Sequence, residues 1–508
     1  MLTKAYAAAV IGIGAEPVEI EVNVMAAEEP HTRVVGLPDA AVKESVDRVT
    51  AAIRNAAFKM KPAAVTINLA PADLRKEGPV YDLPIALARL SASAEALPLP
   101  LLEQVPVLGE LALSGEVRRV RGVLPIVMAL RKAGFRQVMV PAPNAAEAAL
   151  VEGIAVWPVR TLKQAVDILS GKEPPTVCPC GAAALLEQPA GEDFADVKGQ
   201  LTARRAIEVA VSGGHNLLMI GSPGSGKTML ARRIPTILPP LTPEEALEVT
   251  AIHSVAGTLR GSVITQRPFR APHHTVSDAG LIGGGTHPTP GEVSLAHRGV
   301  LFLDELPEFH RHVLEVLRQP LEDGAVTIAR TAGTLTFPAD FMLVAAMNPC
   351  PCGFAGDPKR SCRCPEAAIR RYRAKISGPL LDRIDLHVNV PAVPFEDLAS
   401  QASGESSATI RERVLALRER QAARYRGLKG IRCNADLPAG KLQTFCKMEP
   451  AAETLLRSAM SEFGFTARAY SRIVRVARTI ADMAGCDLIG QNHLFEAIQY
   501  RTLDQAAW

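Results

Sequence analysis

Apolar and polar positions follow different rhythms in three parts of the chain. In the first, Val18 to Val24 and Ala64 to Leu69 alternate as half-buried strands do, and Ala40 to Ala57 repeats apolar residues at helical spacing. Val107 to Leu113 and Gln137 to Pro141 read as further strands. The middle part carries continuous apolar runs, Asn216 to Ile220, Val300 to Leu303 and Phe341 to Met347, which predict parallel strands buried on both faces. Between them Gly324 to Phe337 alternates like a hairpin with a turn near Gly333. The last part is helical: Ile410 to Tyr425 and Ala451 to Phe463 are amphipathic, and a long helix is predicted over 465–485.

At 508 residues the chain exceeds one core, and roughly two to four domains are expected. No apolar run approaches the roughly 20 residues of a membrane helix. Lys4 followed by Ala5 to Ala15 imitates a short signal peptide, but Tyr6, Gly12 and Gly14 and the strand that follows place it in a folded domain, so a cytoplasmic protein is expected. A net charge of +3 makes any nucleic-acid site local. Two segments are candidates: Arg370, Arg371, Arg373 and Lys375, and the stretch Arg411 to Arg432, with eight Lys/Arg against two Glu. Solvated helix faces would look the same.

Chemistry concentrates in the middle part. Gly221-Ser222-Pro223-Gly224-Ser225-Gly226-Lys227-Thr228 stands between a predicted strand and a predicted helix, the order a phosphate-binding loop requires. Its glycines let backbone N–H groups converge on phosphate oxygens, Lys227 can reach the β- and γ-phosphates, and Thr228 offers a hydroxyl to Mg²⁺. Asp304 and Glu305 end the Val300 to Leu303 run, where an α/β sheet presents its ligand. Asp304 would hold Mg²⁺ through water and Glu305 would polarise the attacking water of ATP hydrolysis.

Nine cysteines argue for metal or bystander roles over disulfides. Cys350, Cys352, Cys362 and Cys364 form two Cys-x-Cys pairs around a loop that Gly353, Gly356 and Pro358 allow to turn. They could supply four thiolates to a structural Zn²⁺, or remain four reduced thiols. Cys178 and Cys180 are a lone pair of little weight, in a Gly/Pro/Ala/Glu-rich linker from Ser170 to Asp193. His273 and His274 are adjacent, and in an extended segment they would point opposite ways, which argues against a metal.

VVGLPDAAVKESVDRV (Val34 to Val49), KEGPVYDLPIAL (Lys76 to Leu87) and the segment RPFRAPHHTVSDAGLIGGGTHPTPGEVSLAHRG resemble the ComM/YifB family of Mg-chelatase-like AAA+ ATPases over nearly the whole chain. The resemblance implies an α/β fold in which a P-loop AAA+ core with a helical lid is preceded by an α+β Lon-protease-like domain. The boundaries it suggests are 1–170 for the Lon-protease-like (S5-like) domain, 171–193 for a linker, 194–393 for the AAA+ core with the cysteine loop 350–364, and 394–508 for a linker and the lid. Val80 and Leu124 fall where Lon proteases carry their serine and lysine, so no Ser-Lys dyad can form. The His273-His274 segment is expected to be an ordered insertion serving subunit contacts or a substrate-facing pore loop.

By the same resemblance Asn348 takes the sensor 1 position, Arg383 in GPLLDRIDL that of an arginine finger acting on a neighbouring subunit's ATP, and Arg468 that of sensor 2, with Arg472 as the fallback. A helix-end arginine paired with Asp382 or Asp385 is the alternative for Arg383. Gly199 and Gln200 are implied adenine contacts, and Arg330 near the hairpin tip could touch a phosphate backbone or be an ordinary exposed charge. A ring, a hexamer by family habit, with ATP and Mg²⁺ at each interface follows. From the residues alone the function stops at ATP hydrolysis coupled to movement. The resemblance implies a helicase driving branch migration on branched or single-stranded DNA in recombination and natural transformation, with recombination proteins as partners. A chelatase-type motor remodelling a protein partner is the alternative, and an ATP-dependent protease is opposed by Val80 and Leu124.

Overall fold

The computed structural model describes residues 1–93, 97–179, 192–261, 263–285, 288–330, 333–357, 360–393 and 404–501, with the side chains of Arg330 and Gly333 outside the description. Cys180, Pro358, most of the expected linker and the turn of the Gly324 to Phe337 hairpin also lie outside it. The described chain forms two compact units, Met1–Glu187 with Thr242–Thr265, and Gln188–Leu241 with Gln266–Trp508.

The first unit is built on a four-stranded sheet in the order Leu2–Ile11, Gly14–Ala26, Ala63–Ala70, His31–Val35. The first three strands are antiparallel, and His31–Val35 joins in parallel. The Lys4 to Ala15 segment is therefore the first strand and its turn into the second. Helices Asp82–Ser91 and Val123–Lys132 cover the sheet, burying Leu83, Leu87, Ile126 and Leu130 against Ile20 and Val22. The helix expected at Ala40 to Ala57 runs over Ala40–Asn55, with the Asp39 side chain accepting from Val42 N at 2.7 Å as its cap.

Val107 to Leu113 departs from its expectation. Only Glu110–Leu111 is strand, paired with Val117–Arg118, while Val107 makes a single bridge to Met139. Val107, Leu108 and Leu111 are fully buried while Leu113 is exposed, so most of the run is apolar because it is enclosed, not because it is extended.

Helix Pro243–Ala256 packs within the first unit, although in sequence it follows the helix of the glycine loop. Thr242 and Glu245 close a capping box at its start. At its other end a buried polar cluster fixes it. Ser254 Oγ donates to Glu147, Leu124 N donates to Glu147 Oε1 at 3.1 Å, Asn144 Nδ2 donates to Glu147 Oε2 at 3.2 Å, and Gly122 N donates to Ser254 O at 3.2 Å. A buried carboxylate with three donors is a satisfied one.

The second unit holds a five-stranded parallel sheet in the order Phe269–Arg270, Val300–Leu303, Met342–Met347, Leu217–Ile220, Leu386–Asn389. The three continuous apolar runs are its central strands, buried throughout. The hairpin expected near Gly333 is present as Ala325–Arg330 paired with Gly333–Pro338. Helices Ser407–Arg424, Pro450–Phe463, Ala467–Met483 and Gln491–Gln499 complete the unit; the first packs on Leu201–Gly213 and Lys227–Ile237, and Ala467–Met483 also reaches Leu201–Gly213.

One buried ionic group ties the last helices to the sheet. Asp385, 2% exposed, accepts from Arg472 Nη1 at 2.6 Å and Asn216 N at 3.0 Å, and His215, whose Nδ1 is 3.7 Å away, bonds Thr479 through Nε2 at 2.8 Å. Burial opposes ionisation here, yet Arg472 and then His215 hold the carboxyl well below the usual range. Asp385→Asn leaves Arg472 without its counter-charge and should cost about 3 kcal/mol of stability. A lowered urea midpoint at unchanged slope would show it, and an unchanged midpoint would remove the group from the stability account. Among the described residues no helix is long and apolar enough to cross a membrane.

Candidate active site

The Gly221 to Thr228 loop leaves the carboxyl end of Leu217–Ile220 and enters helix Lys227–Ile237. Gly221 is required there, since a Cβ would stand 2.2 Å from the Val390 carbonyl oxygen and 2.7 Å from Ser225 Oγ. Gly226 has φ 92°, which places it in the left-handed region as it opens the helix. Lys227 Nζ donates to the carbonyls of Gly221 at 2.7 Å and Ser222 at 3.1 Å, and to Asn348 Oδ1 at 3.4 Å. Burial lowers its pKa, with Asp304 and Glu305 opposing that shift.

Neighbouring strands bring the acids to the same place. Thr228 Oγ1 donates to Asp304 Oδ2 at 2.7 Å, and Asp304 Oδ1 accepts from Glu305 N at 2.9 Å. A hydroxyl and a carboxylate in contact are a donor set suited to a hard divalent cation. Glu305 has φ 54° and ψ 47°, a left-handed conformation that costs a non-glycine residue roughly 1–3 kcal/mol. Lys227, Thr228, Asp304, Glu305 and Asn348 thus converge at the carboxyl ends of three adjacent parallel strands, with a cation, a metal-type donor pair and a carboxylate side by side. Gln200 donates to the Ser225 carbonyl, while Gln200 Oε1 and Ser225 Oγ are buried without a partner among the described residues. Ligand atoms would satisfy them.

The two histidines correct an expectation. His273 and His274 do not point apart: their rings stand 4.1 Å from each other, because His273 O accepts from Val276 N at 2.9 Å and the chain turns there instead of extending. His274 Nδ1 lies 3.7 Å from Glu305 Oε2, and its ring meets Phe309 edge-on. His274 is a neighbour of the site that residue spacing does not signal.

Arg383 and Arg468 stand elsewhere. The Arg383 side chain is 6% exposed, ion-paired to Glu322, and donates through Nη1 to Pro379 O at 2.5 Å. Its partner is thus neither Asp382 nor Asp385. Burial, and after it the charges of Arg318, Arg468 and Arg472, lower its pKa. Arg468 is exposed and reaches Asp382 at 3.4 Å, so it joins the Arg383 segment of its own chain instead of Lys227.

The expected basic segments are mostly engaged within the second unit. Arg413 pairs with Glu208 and Glu405, Arg420 with Asp487, Arg424 with Asp482 and Arg432 with Asp340. Arg370 pairs with Glu366, Lys375 with Glu308 at 3.2 Å, and Arg371 is exposed. Arg370, Lys375 and Arg413 stay exposed in these pairs, as the alternative of solvated helix faces expects.

The four cysteines do come together. Their Sγ atoms lie within 4.8 Å of one another, with 3.4 Å from Cys350 to Cys352 and 3.6 Å from each of these to Cys362. Backbone N–H groups of Arg363 and Phe354 pull the Cys352 thiol down to about 6. Cys178 is a free, partly buried thiol.

Three family descriptions match: "Magnesium chelatase, subunit ChlI" over residues 193–398, "Subunit ChlI of Mg-chelatase" over 20–144, and "Magnesium chelatase, subunit ChlI C-terminal" over 404–501. The chain is 43% identical to YifB of Salmonella typhimurium, across 99% of this chain and 98% of that one. It is 46% identical to Rv2897c of Mycobacterium tuberculosis, across 98% of each, and 43% identical to the competence protein ComM of Haemophilus influenzae, across 99% of this chain and 98% of that one. Likeness of this depth along the full length, joined to a glycine loop and an acidic strand end that meet through Thr228 and Asp304, makes the chain a member of the ComM/YifB family of Mg-chelatase-like proteins.

Proposed function

We propose that the protein is a Mg²⁺-dependent AAA+ ATPase that moves on DNA, a branch-migration helicase of recombination and natural transformation. The observation that carries the ATPase reading is the contact of Thr228 with Asp304 beside Lys227 and Glu305. In it the Gly221 to Thr228 backbone and Lys227 bind the phosphates, Thr228 and Asp304 hold Mg²⁺, Glu305 orients water, and Asn348, already bonded to Lys227, positions it. Mg²⁺ supplies charge stabilisation for the leaving phosphate.

The DNA half of the reading is supported by the 43% identity to a protein named for competence. The first unit serves as a Lon-like scaffold without protease chemistry, since Val80 and Leu124 are hydrocarbon, and the helices after residue 404 serve as the lid. A hexameric ring is proposed in which Arg383 exchanges Glu322 for a neighbour's phosphate, with Arg318, Arg468 and Arg472 concentrating positive charge around it. The four thiols are assigned to Zn²⁺.

The chelatase-type alternative rests on the family descriptions, which name ChlI over all three parts of the chain, the first unit included. ATPase rate with and without four-way-junction DNA separates the two. The helicase reading expects strong stimulation, with DNA binding weakened about a thousandfold between about 50 and 200 mM salt if six or more phosphates are contacted. A rate indifferent to DNA but raised by a protein partner would replace it with the remodeller.

A further inference from the structure

The cysteine loop is joined to the glycine loop by two contacts that neither loop's own chemistry requires. Ser222 Oγ donates to Asp357 Oδ2 at 2.7 Å. Gly353, at φ 87°, lies so close to Pro223 that a Cβ there would stand 2.6 Å from the proline Cδ. Ser222 and Pro223 belong to the loop proposed to bind phosphate, while Asp357 and Gly353 fall between the two cysteine pairs. The loop also follows directly on Asn348, whose amide oxygen meets Lys227.

The thiols themselves have the shape of a tetrahedral site. A zinc ion about 2.3 Å from each of four sulfurs sets them about 3.8 Å apart, close to the 3.4 and 3.6 Å separations observed. Backbone N–H groups are aimed at the sulfurs, as around metal-bound thiolates: Ala355 N donates to Cys350 Sγ at 3.3 Å and Cys364 N to Cys362 Sγ at 3.4 Å. Asp357 is oriented from within the same loop, its Oδ1 accepting from Arg360 N at 3.0 Å and its own N donating to Phe354 O at 3.2 Å. Of the four cysteines only Cys350 is buried, and among the described residues of the loop Phe354 and Ala355 are only partly so.

We infer that a thiophilic divalent cation, Zn²⁺, bound by Cys350, Cys352, Cys362 and Cys364 braces the phosphate-binding loop through Asp357 and Gly353, so that nucleotide affinity depends on metal occupancy. The coupling rests on the nucleotide reading above; the metal site does not. Without the ion the loop loses that crosslink, Asp357 is no longer fixed opposite Ser222, and the glycine loop must be ordered by the nucleotide itself, which costs affinity.

The test uses the full chain purified without chelator. Zinc is measured by elemental analysis, and ATP affinity in Mg²⁺ by calorimetry before zinc removal, after it, and after Zn²⁺ is returned. One zinc per chain is expected, with affinity falling about tenfold on removal and recovering on return. Cys362→Ser with Cys364→Ser should lose the zinc. Asp357→Ala should keep the zinc and still weaken ATP, which separates the brace from loss of folding. Zinc well below one equivalent overturns the site. Full zinc with equal ATP affinity in all three states and in Asp357→Ala overturns the brace. A zinc-loaded chain that binds no ATP overturns the nucleotide reading and the coupling with it, leaving the zinc content to judge the site by itself.

Discussion

Glu305→Gln should retain ATP and lose its hydrolysis by a factor of about 100 to 10,000, the range a positioned general base contributes. The substitution keeps the size of the side chain, exchanges one acceptor oxygen for an amide donor, and removes the negative charge that would polarise water. Asp304, bonded to Thr228 at 2.7 Å, is untouched, so metal and nucleotide binding should persist. The left-handed backbone at Glu305 gives a second reason to expect specificity of role, since a strained conformation at the end of a buried strand is retained only where the surroundings enforce it. Single-turnover hydrolysis alongside equilibrium binding checks this. Turnover at the wild-type rate would take the role of base away from Glu305.

Lys227→Ala should instead weaken ATP binding by about two orders of magnitude through the loss of charged hydrogen bonds. In the structure Lys227 Nζ is spent on the carbonyls of Gly221 and Ser222 and on Asn348. Those carbonyls cannot neutralise a buried ammonium, and the lowered pKa records that cost. A triphosphate can neutralise it. Calorimetry with wild-type chain as reference measures the loss, and a dissociation constant within a few-fold of wild type would mean that Lys227 is structural.

The residues that converge on the site are legible in the sequence for one physical reason. Lys227, Thr228, Asp304, Glu305 and Asn348 each follow closely on a run of apolar residues, and a parallel sheet collects the ends of such runs along one edge. The pattern breaks down where placement depends on a partner far along the chain. An arginine between two acids does not announce its partner, and within its own chain Arg383 pairs with Glu322, a residue distant in sequence. His274 is brought to Glu305 by a turn that the adjacent-residue rule does not foresee. The cysteine loop is visible as a ligand set, yet nothing in its spacing shows that Asp357 reaches Ser222. Helix Pro243–Ala256 is not foreseen from the apolar pattern: its buried residues run Ala246, Val249, Thr250, Ala251, Ile252, His253 and Ser254, nearly all round, so no single face announces the helix or where it packs.

That helix makes the first unit inseparable by a simple cut. The polypeptide departs the second unit after Leu241, contributes Thr242–Thr265 to the first, and comes back at Gln266. A shortened protein starting at Gln188 would still carry Leu247, Ala251 and Ser254 while lacking the core that the first two join and Glu147, to which Ser254 bonds. An orphaned greasy rod would hang in water and invite clumping. Amputation of the amino-terminal half is therefore a poor way to learn what it does, and point changes on its surface are the sounder instrument.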